Sequence, residues 1–328
     1  MGSGCTTTTS ICMSTACWRA TGARRPRLRK RPMISHTFWQ GILDADGEPP
    51  AGRSAEQLLP ELLEALASPD PDLRDELAYL LLDTWVHSGR LSPEAMRALT
   101  EELAARLLEG IDSPGDDRVF RRTFAALGLA ELVGEDNERP FLAEERLRAV
   151  FGAALRYLAE ERDLRGFVPG KGWAHGVAHV ADLLWLLAYS PHLGAADRGR
   201  ILGGIAARLQ AEGEQIFRYS EESRLATAAI GALGRGLPDG VAEAWLDQLT
   251  VVGGERLSMA SRLDPVGLAR YHNVRGFLIS LHFQLEHPPE SAWPGMAAYL
   301  RAQITAPPPA AVALAPHVLG ALRAMRGI

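Results

Sequence analysis

The chain has 328 residues, of which 47% are hydrophobic and 23% charged, a balance typical of a soluble globular protein that can bury a core. It contains no uncharged apolar run of about 18 residues, so no transmembrane helix is predicted. The net charge is −5, but the first 32 residues hold seven basic side chains and no acidic one, leaving 28 basic against 40 acidic residues elsewhere. This acidic body argues against nonspecific nucleic-acid binding, which depends on basic residues neutralising phosphates.

Residues 1–32 combine a segment rich in Thr, Ser and Cys with an arginine-rich one, and they are expected to form a disordered basic tail. The alternative is that translation naturally begins at Met33, so that this tail is not part of the native protein. All three cysteines, Cys5, Cys12 and Cys17, lie in this segment. A body without cysteine needs no disulfide, and it fits a reducing cytoplasm.

From residue 33 onward, the sequence predicts helices joined by short turns rich in proline and glycine. Ser54 and Gln57 form a capping-box pattern, and Ser92 precedes a proline at a first helical position. Apolar residues at helical spacing predict about twelve helices, near residues 54–66, 72–87, 93–108, 119–133, 141–161, 175–189, 195–212, 222–234, 241–249, 265–286, 291–304 and 310–325. No alternating strand pattern is found, so the fold is predicted to be all-α.

Helices with short connections pack as antiparallel neighbours. Leucine-rich pairs that recur at roughly 40 residues favour a HEAT-like α-solenoid of antiparallel helix pairs, with a closed α/α toroid as the alternative. Residues 33–328 are therefore expected to form a single all-helical domain. Both arrangements provide a concave surface, where we expect the glycine-rich stretch Gly166–Gly172 to lie.

The segment Glu160–Leu184 concentrates the residues that are capable of chemistry. Its glycine-rich loop leads into a helix that carries His175, His179 and Asp182, and their i, i+4, i+7 spacing places them on one helix face. The opposite face, which starts at Trp173, is apolar and is expected to pack into the body.

Lys171 is the only lysine of the body, because the other lysine of the chain, Lys30, lies in the tail. In a chain that otherwise uses arginine, a lysine between two glycines suggests a need for a compact amine whose pKa falls readily on burial. The alternative is sequence drift on an exposed loop. The loop lacks the G-x-x-x-x-G-K-[ST] pattern of nucleotide-binding P-loops.

One hypothesis is a polar pocket that binds a small ligand or a partner segment. Lys171, His175, His179 and Asp182 are its candidate catalytic residues, with Lys171 to hold an anionic group, a histidine to shuttle protons and Trp173 as an aromatic wall. Neighbouring polar and aromatic residues are candidates for ligand binding: Glu161, Asp163, Arg165, Trp173, Glu222 and Arg224.

The competing hypothesis is a metal-dependent hydrolase in which His175, His179 and Asp182 bind a divalent metal such as zinc, manganese or iron. Further ligands could come from Asp163, Glu221, Glu222 or His272. The segment between the histidines lacks the glutamate of H-E-x-x-H. Histidines bonded to carboxylates in a polar interior layer would give the same pattern, so a scaffold with structural histidines is a third interpretation.

The motif RGxxxGKGWxHxxAHxADLL at residues 165–184 resembles that of a bacterial family of uncharacterised helical proteins, known only as a domain of unknown function. The likeness extends to Leu73–Glu76 in the second predicted helix and to Glu222 with Arg224. It covers the chain from about Met33 to near the C-terminus. It implies an all-helical, HEAT-like body and a cytoplasmic setting, and it implies no activity.

Overall fold

A computed structural model describes residues 35–258, 264–287 and 307–325 of the chain. The described part is mostly helical, which confirms the predicted helical class. The predicted tail at residues 1–32 and the predicted helix at residues 291–304 lie outside the described residues. Within the described ranges, no helix has both the length and the apolar character that crossing a bilayer requires.

Thirteen helices are described: α1 (His36–Leu43), α2 (Ala55–Leu66), α3 (Leu80–His87), α4 (Pro93–Leu107), α5 (Arg118–Glu138), α6 (Glu144–Glu160), α7 (Gly176–Tyr189), α8 (Ala195–Leu209), α9 (Glu221–Leu233), α10 (Val241–Leu249), α11 (Pro265–Glu286), α12 (Pro309–Val312) and α13 (Ala315–Met325). A π-helical segment, Asp72–Tyr79, runs directly into α3. Four short strands are described: β1 (Phe167–Val168), β2 (Gly172–Trp173), β3 (Val251–Val252) and β4 (Glu255–Arg256).

Helix starts follow the capping signals of the sequence. The Ser54 hydroxyl accepts from the Gln57 amide N–H at 3.2 Å, and the Gln57 side chain accepts from the Ser54 N–H at 3.0 Å, which completes the predicted capping box of α2. Ser92 caps α4 through the N–H of Ala95 at 3.2 Å, ahead of Pro93 at the first helical position.

The central helices pack in two series that place α7 in the middle of the core. In one series α5, α7, α9 and α11 each pack against the next, and in the other α4, α6, α8 and α10 do the same. Neighbours along the chain, such as α6 and α7, join the two series. Every residue of α7 from Gly176 to Ala188 is consequently buried, so polar side chains on this helix must find partners inside the protein.

The structure adds elements that periodicity does not predict. Strands β1 and β2 pair antiparallel, with Phe167 opposite Trp173, and β3 pairs with β4. Each strand has two residues, which is too short for an alternating pattern to be visible. Helix α1 also lacks a sequence prediction, although Ser35 caps it and Trp39 and Ile42 are buried in the core.

Candidate functional site

The segment leading into α7 is a β-hairpin that presents aromatic side chains to solvent. Phe167 on β1 and Trp173 on β2 are 45% and 40% exposed, and their rings meet edge to face at 5.3 Å between centroids. Tyr219, just before α9, is 38% exposed and contacts Trp173 edge to face at 5.7 Å. We call Phe167, Trp173 and Tyr219 the aromatic platform. The expectation that Trp173 packs into the body is wrong, because this residue lies on the hairpin and not on α7.

His175 connects this platform to the first residues of α7 and α9. It is the N-cap of α7 in the left-handed conformation (φ 54°, ψ 34°), so the helix begins at Gly176 and not at His175. Its ring stacks on Trp173 with centroids 4.9 Å apart, and Nε2 lies 2.7 Å from the carbonyl oxygen of Tyr219. A carbonyl only accepts hydrogen bonds, so Nε2 carries the hydrogen and Nδ1 of the neutral ring keeps its lone pair.

The backbone at this junction is strained. Ser220, the N-cap of α9, is also left-handed (φ 68°), and together with His175 it accounts for two of the three non-glycine residues with positive φ in the described part of the chain. Such conformations cost about 1–3 kcal/mol each and concentrate at ligand clamps and active sites. The starts of α7 and α9 are thus held together in a conformation that neither chain segment prefers.

His179 lies one turn below His175, inside the protein. Its Nδ1 donates to the carbonyl oxygen of Thr123 at 3.2 Å, and its ring meets that of His175 at 5.7 Å between centroids. Burial, followed by repulsion from protonated His175 at low pH and from Arg224, holds the pKa of His179 well below its ordinary value. Burial, helped by Arg224, also lowers the pKa of His175 to about 4. Both rings are therefore neutral at pH 7.

Asp182 forms a buried ion pair that joins α7 to α9. Its Oδ1 accepts from Nε of Arg224 at 2.5 Å, and its Oδ2 accepts from Nη2 of the same guanidinium. Burial raises the pKa of Asp182, and the Arg224 charge opposes that rise. The assignment of His175, His179 and Asp182 as metal ligands stays a prediction, and a metal ion on Asp182 would compete with Arg224 for both carboxylate oxygens.

Lys171 pairs with a neighbouring carboxylate at the surface. Its Nζ donates to Oδ1 of Asp117 at 2.6 Å, and the two side chains are 41% and 45% exposed. Asp117 is the N-cap residue of α5, so this pair connects the hairpin to the start of that helix. The catalytic role of Lys171, as a residue that holds an anionic group, stays a prediction.

Arg74 holds the same hairpin from the protein interior. Helical periodicity did not indicate this role. The fully buried guanidinium donates to the carbonyl oxygen of Lys171 at 2.8 Å, pairs with Asp75 at 2.7 Å and lies 4.3 Å from the Phe120 ring centroid. Burial raises the pKa of Asp75 to about 6, although Arg74 opposes the rise. The available signal was a charged pair directly after Leu73 on the apolar stripe of this helix.

The predicted ligand-binding residues Glu161, Asp163 and Arg165 form ion pairs beneath the hairpin. Glu161 accepts from Nη2 of Arg122 at 3.0 Å and from Nε at 2.5 Å, and both side chains are buried. Asp163 accepts from Nη2 of Arg165 at 2.6 Å and from the backbone N–H of Gly115 at 2.9 Å. These contacts anchor the segment that enters the hairpin, and direct ligand contact by these residues stays a prediction.

Glu221 and Glu222 open α9 with different surroundings. Glu221 is buried and accepts from the N–H groups of Arg218 and Tyr219 at 3.1 and 2.8 Å, which shapes the loop that carries the platform tyrosine. Glu222 packs against Gly276 of α11, and its Oε2 is buried without a hydrogen-bond partner among the described residues. Glu222 therefore stays a candidate for ligand binding.

Polar residues of α11 complete the support of this loop. Asn273 accepts from the N–H of Phe217 at 2.9 Å and donates to the carbonyl oxygen of Gln215 at 3.0 Å. His272 contacts the ring of Tyr271 at 5.4 Å between centroids. The structure thus gives Asn273 a positioning role toward Tyr219.

No curated protein and no solved structure matches the chain. One family, described as "Protein of unknown function (DUF2785)", matches residues 107–283, which are more than half of the chain and include the hairpin, α7 and α9. The resemblance based on the central motif is confirmed at the level of a family of unknown function. The chain belongs to the DUF2785 family.

Proposed function

We propose that the aromatic platform and His175 form a binding site for a small ligand that carries a planar, apolar group. The observation that supports this most strongly is the gathering of exposed aromatic rings at one place. Seven large hydrophobic side chains are exposed within the described ranges, and three of them form one cluster, in which Trp173 contacts both Phe167 and Tyr219. Clustered exposed apolar surface marks binding sites, whereas scattered exposed residues do not.

The platform is held in place before any ligand arrives. The Tyr219 ring lies so close to Gly166 that a Cβ at that position would be 2.0 Å from Cδ2 of the ring. His175 holds two platform residues in place, because its ring stacks on Trp173 and donates to the Tyr219 carbonyl oxygen. A preorganised site loses less conformational entropy on binding, which favours affinity.

Polar groups beside the platform orient the bound ligand. With Nε2 of His175 committed to Tyr219, the Nδ1 lone pair of the neutral ring is an acceptor for a ligand N–H or O–H. The exposed pair of Lys171 and Asp117 adds a donor and an acceptor next to β2. Ligand sites generally combine apolar walls with a few such polar groups.

For the architecture we propose a HEAT-like arrangement of antiparallel helix pairs within a single domain of residues 33–328. The two series of packed helices support it, since each even-numbered helix from α4 to α8 packs against the next helix of the chain. The absence of cysteine after residue 32 favours a cytoplasmic setting.

The test measures binding of three planar probes: naphthalene carrying a carboxylate, a carboxamide or an aminomethyl group. We expect at least one probe to raise the melting temperature of the wild-type protein in a concentration-dependent manner. Trp173→Ala should weaken binding of that probe at least 10-fold, because the stacking face is removed. The matched control is Val241→Ala, which shortens a 37% exposed apolar side chain at the start of α10. Equal affinity of the wild type and Trp173→Ala would contradict the proposal.

A further inference from the structure

A second group of polar residues lies between α3 and α5. Asp83 and His87 are four residues apart on α3, so they occupy one face of that helix. This face packs on α5, where Glu131 and Glu135 have the same spacing. Four side chains capable of binding a metal or orienting a ligand therefore meet at one helix interface.

Three of these residues present ligand atoms to a common point. His87 Nε2 lies 3.0 Å from Glu131 Oε2 and 3.7 Å from Asp83 Oδ1, and one ligand atom from each residue lies within 4.8 Å of the others. Zinc ligands lie about 2.0–2.2 Å from the ion, which places neighbouring ligand atoms about 3.0–3.5 Å from one another. The two separations measured from His87 Nε2 are close to those of a shared coordination sphere.

The second ring nitrogen of His87 has the partner that a metal-binding histidine requires. Nδ1 lies 3.0 Å from Oε2 of Glu135, and Arg139 donates to both oxygens of Glu135, at 2.5 and 2.8 Å. A carboxylate on this nitrogen fixes the tautomer in which Nε2 offers its lone pair to a metal. The hydroxyl of Tyr79 donates to Oε1 of Glu131 at 2.5 Å, so Oε2 is the oxygen that faces His87.

Burial and charge also favour a cation at this point. Glu131 is fully buried and Glu135 is 3% exposed, whereas the side chains of Asp83 and His87 are 15% exposed and leave a route from solvent. Asp83, Glu131 and Glu135 place three carboxylates around the His87 ring, and the guanidinium of Arg139 pairs with Glu135. Buried charge is costly unless it is paired or coordinates a metal.

We propose that Asp83, His87 and Glu131 bind one divalent metal ion of the Zn²⁺ or Mn²⁺ class, with Glu135 orienting His87. One imidazole nitrogen and two carboxylate oxygens suit these ions, and remaining positions would be filled by water or by a ligand. The competing account is a metal-free imidazolium that donates to Glu131 and Glu135 through its two N–H groups. This inference does not depend on the function proposed for the aromatic platform.

The experiment uses the full chain purified without a histidine tag, stripped with EDTA and titrated calorimetrically with Zn²⁺ or Mn²⁺ at pH 7.5. We expect one equivalent to bind and the melting temperature to rise with it. Asp83→Asn removes a ligand at the rim of the site and should weaken binding at least 10-fold, and Glu135→Gln should weaken it about 10- to 100-fold. Asp83→Asn changes a partly exposed side chain, so circular dichroism can verify that it folds.

The variant His175→Asn is the matched control. It removes one histidine of the other candidate metal set, and we expect it to keep the stoichiometry and affinity of the wild type for the ion. The proposal is overturned if the wild type binds no stoichiometric metal. It is also overturned if Asp83→Asn binds as tightly as the wild type, or if His175→Asn alone loses the ion.

Discussion

His175 combines a strained backbone, an aromatic contact and a shifted pKa in one residue. It adopts a left-handed backbone conformation, stacks on Trp173, and is buried enough that its pKa falls to about 4. Asparagine tolerates the left-handed conformation better than most residues, so a His175→Asn variant can keep the chain path while removing the ring. The effect of the His175 ring on stability can therefore be measured without changing the backbone strain at this position.

The first prediction concerns the pH dependence of stability. The folded protein holds the pKa of both His175 and His179 below the ordinary 6.5, so the unfolded chain takes up these protons more readily. The stability that their neutral forms contribute is present above pH 6.5 and is lost as the pH falls toward 4. Thermal melts at pH 7.5, 5.5 and 4.5 should show a steeper loss for the wild type than for His175→Asn. Parallel curves for the two proteins would contradict this account of His175.

The second prediction concerns the ion pair of Asp182 and Arg224. Arg224→Met leaves the buried Asp182 carboxylate without its guanidinium, and loss of one partner of a buried pair costs about 3–5 kcal/mol. The double variant Asp182→Asn/Arg224→Met should recover part of that loss in urea denaturation. Arg156→Met, at an exposed pair with Glu160 on α6, is the control and should change stability little. Equal effects of Arg224→Met and Arg156→Met would show that Asp182 is solvated.

The hairpin is the element on which the proposed site depends, and its geometry requires glycine at position 166. The third prediction is that Gly166→Ala displaces the Tyr219 ring, which lies 2.0 Å from the position of the new Cβ, and destabilises the protein by about 1–3 kcal/mol. Near-ultraviolet circular dichroism should change as the aromatic platform is rearranged. Gly152→Ala on α6 meets nothing within 4 Å and should stabilise the protein by up to about 1 kcal/mol. Similar stability of the two variants would be incompatible with this packing.

At the scale of elements, the sequence predicts what local interactions determine. The capping box at Ser54 and the Ser92–Pro93 start were both predictable, because their partners lie within three residues. The hairpin was not predictable from periodicity, since two-residue strands show no alternation. The exposure of Trp173 follows from that hairpin, and treating the residue as part of α7 gave it the wrong environment.

In the molecule as a whole, α7 is the central helix of the core. It packs on α5 and on α9, and all its residues from Gly176 to Ala188 are buried. The fourth prediction is that amides of residues 180–187 exchange with deuterium more slowly than those of α1 and α12, because exchange there requires opening of the core. Hydrogen exchange measured by mass spectrometry tests this. Comparable exchange in α7 and α1 would contradict the central position of α7.

Long-range contacts determine the parts of the site that the sequence alone did not reveal. The spacing of His179 and Asp182 indicated a shared helix face, but the partners of these residues, Thr123 and Arg224, lie more than 40 residues away along the chain. The group of Asp83, His87 and Glu131 was missed for the same reason. Its residues lie on separate helices, and they form one cluster only because α3 packs against α5. Residue spacing identified the helix that carries the polar side chains, and tertiary packing determines which groups those side chains contact.

The most direct test of the central claim is the indole N–H resonance of Trp173, assigned by comparison with Trp173→Phe, during titration of the protein with the naphthalene probes. Binding at the aromatic platform predicts that this resonance shifts in a saturable manner, while those of the buried Trp39 and Trp85 stay unchanged. Saturable shifts at buried indoles with an unchanged Trp173 resonance, or no shift at any indole, would contradict the claim that the hairpin forms a ligand-binding site.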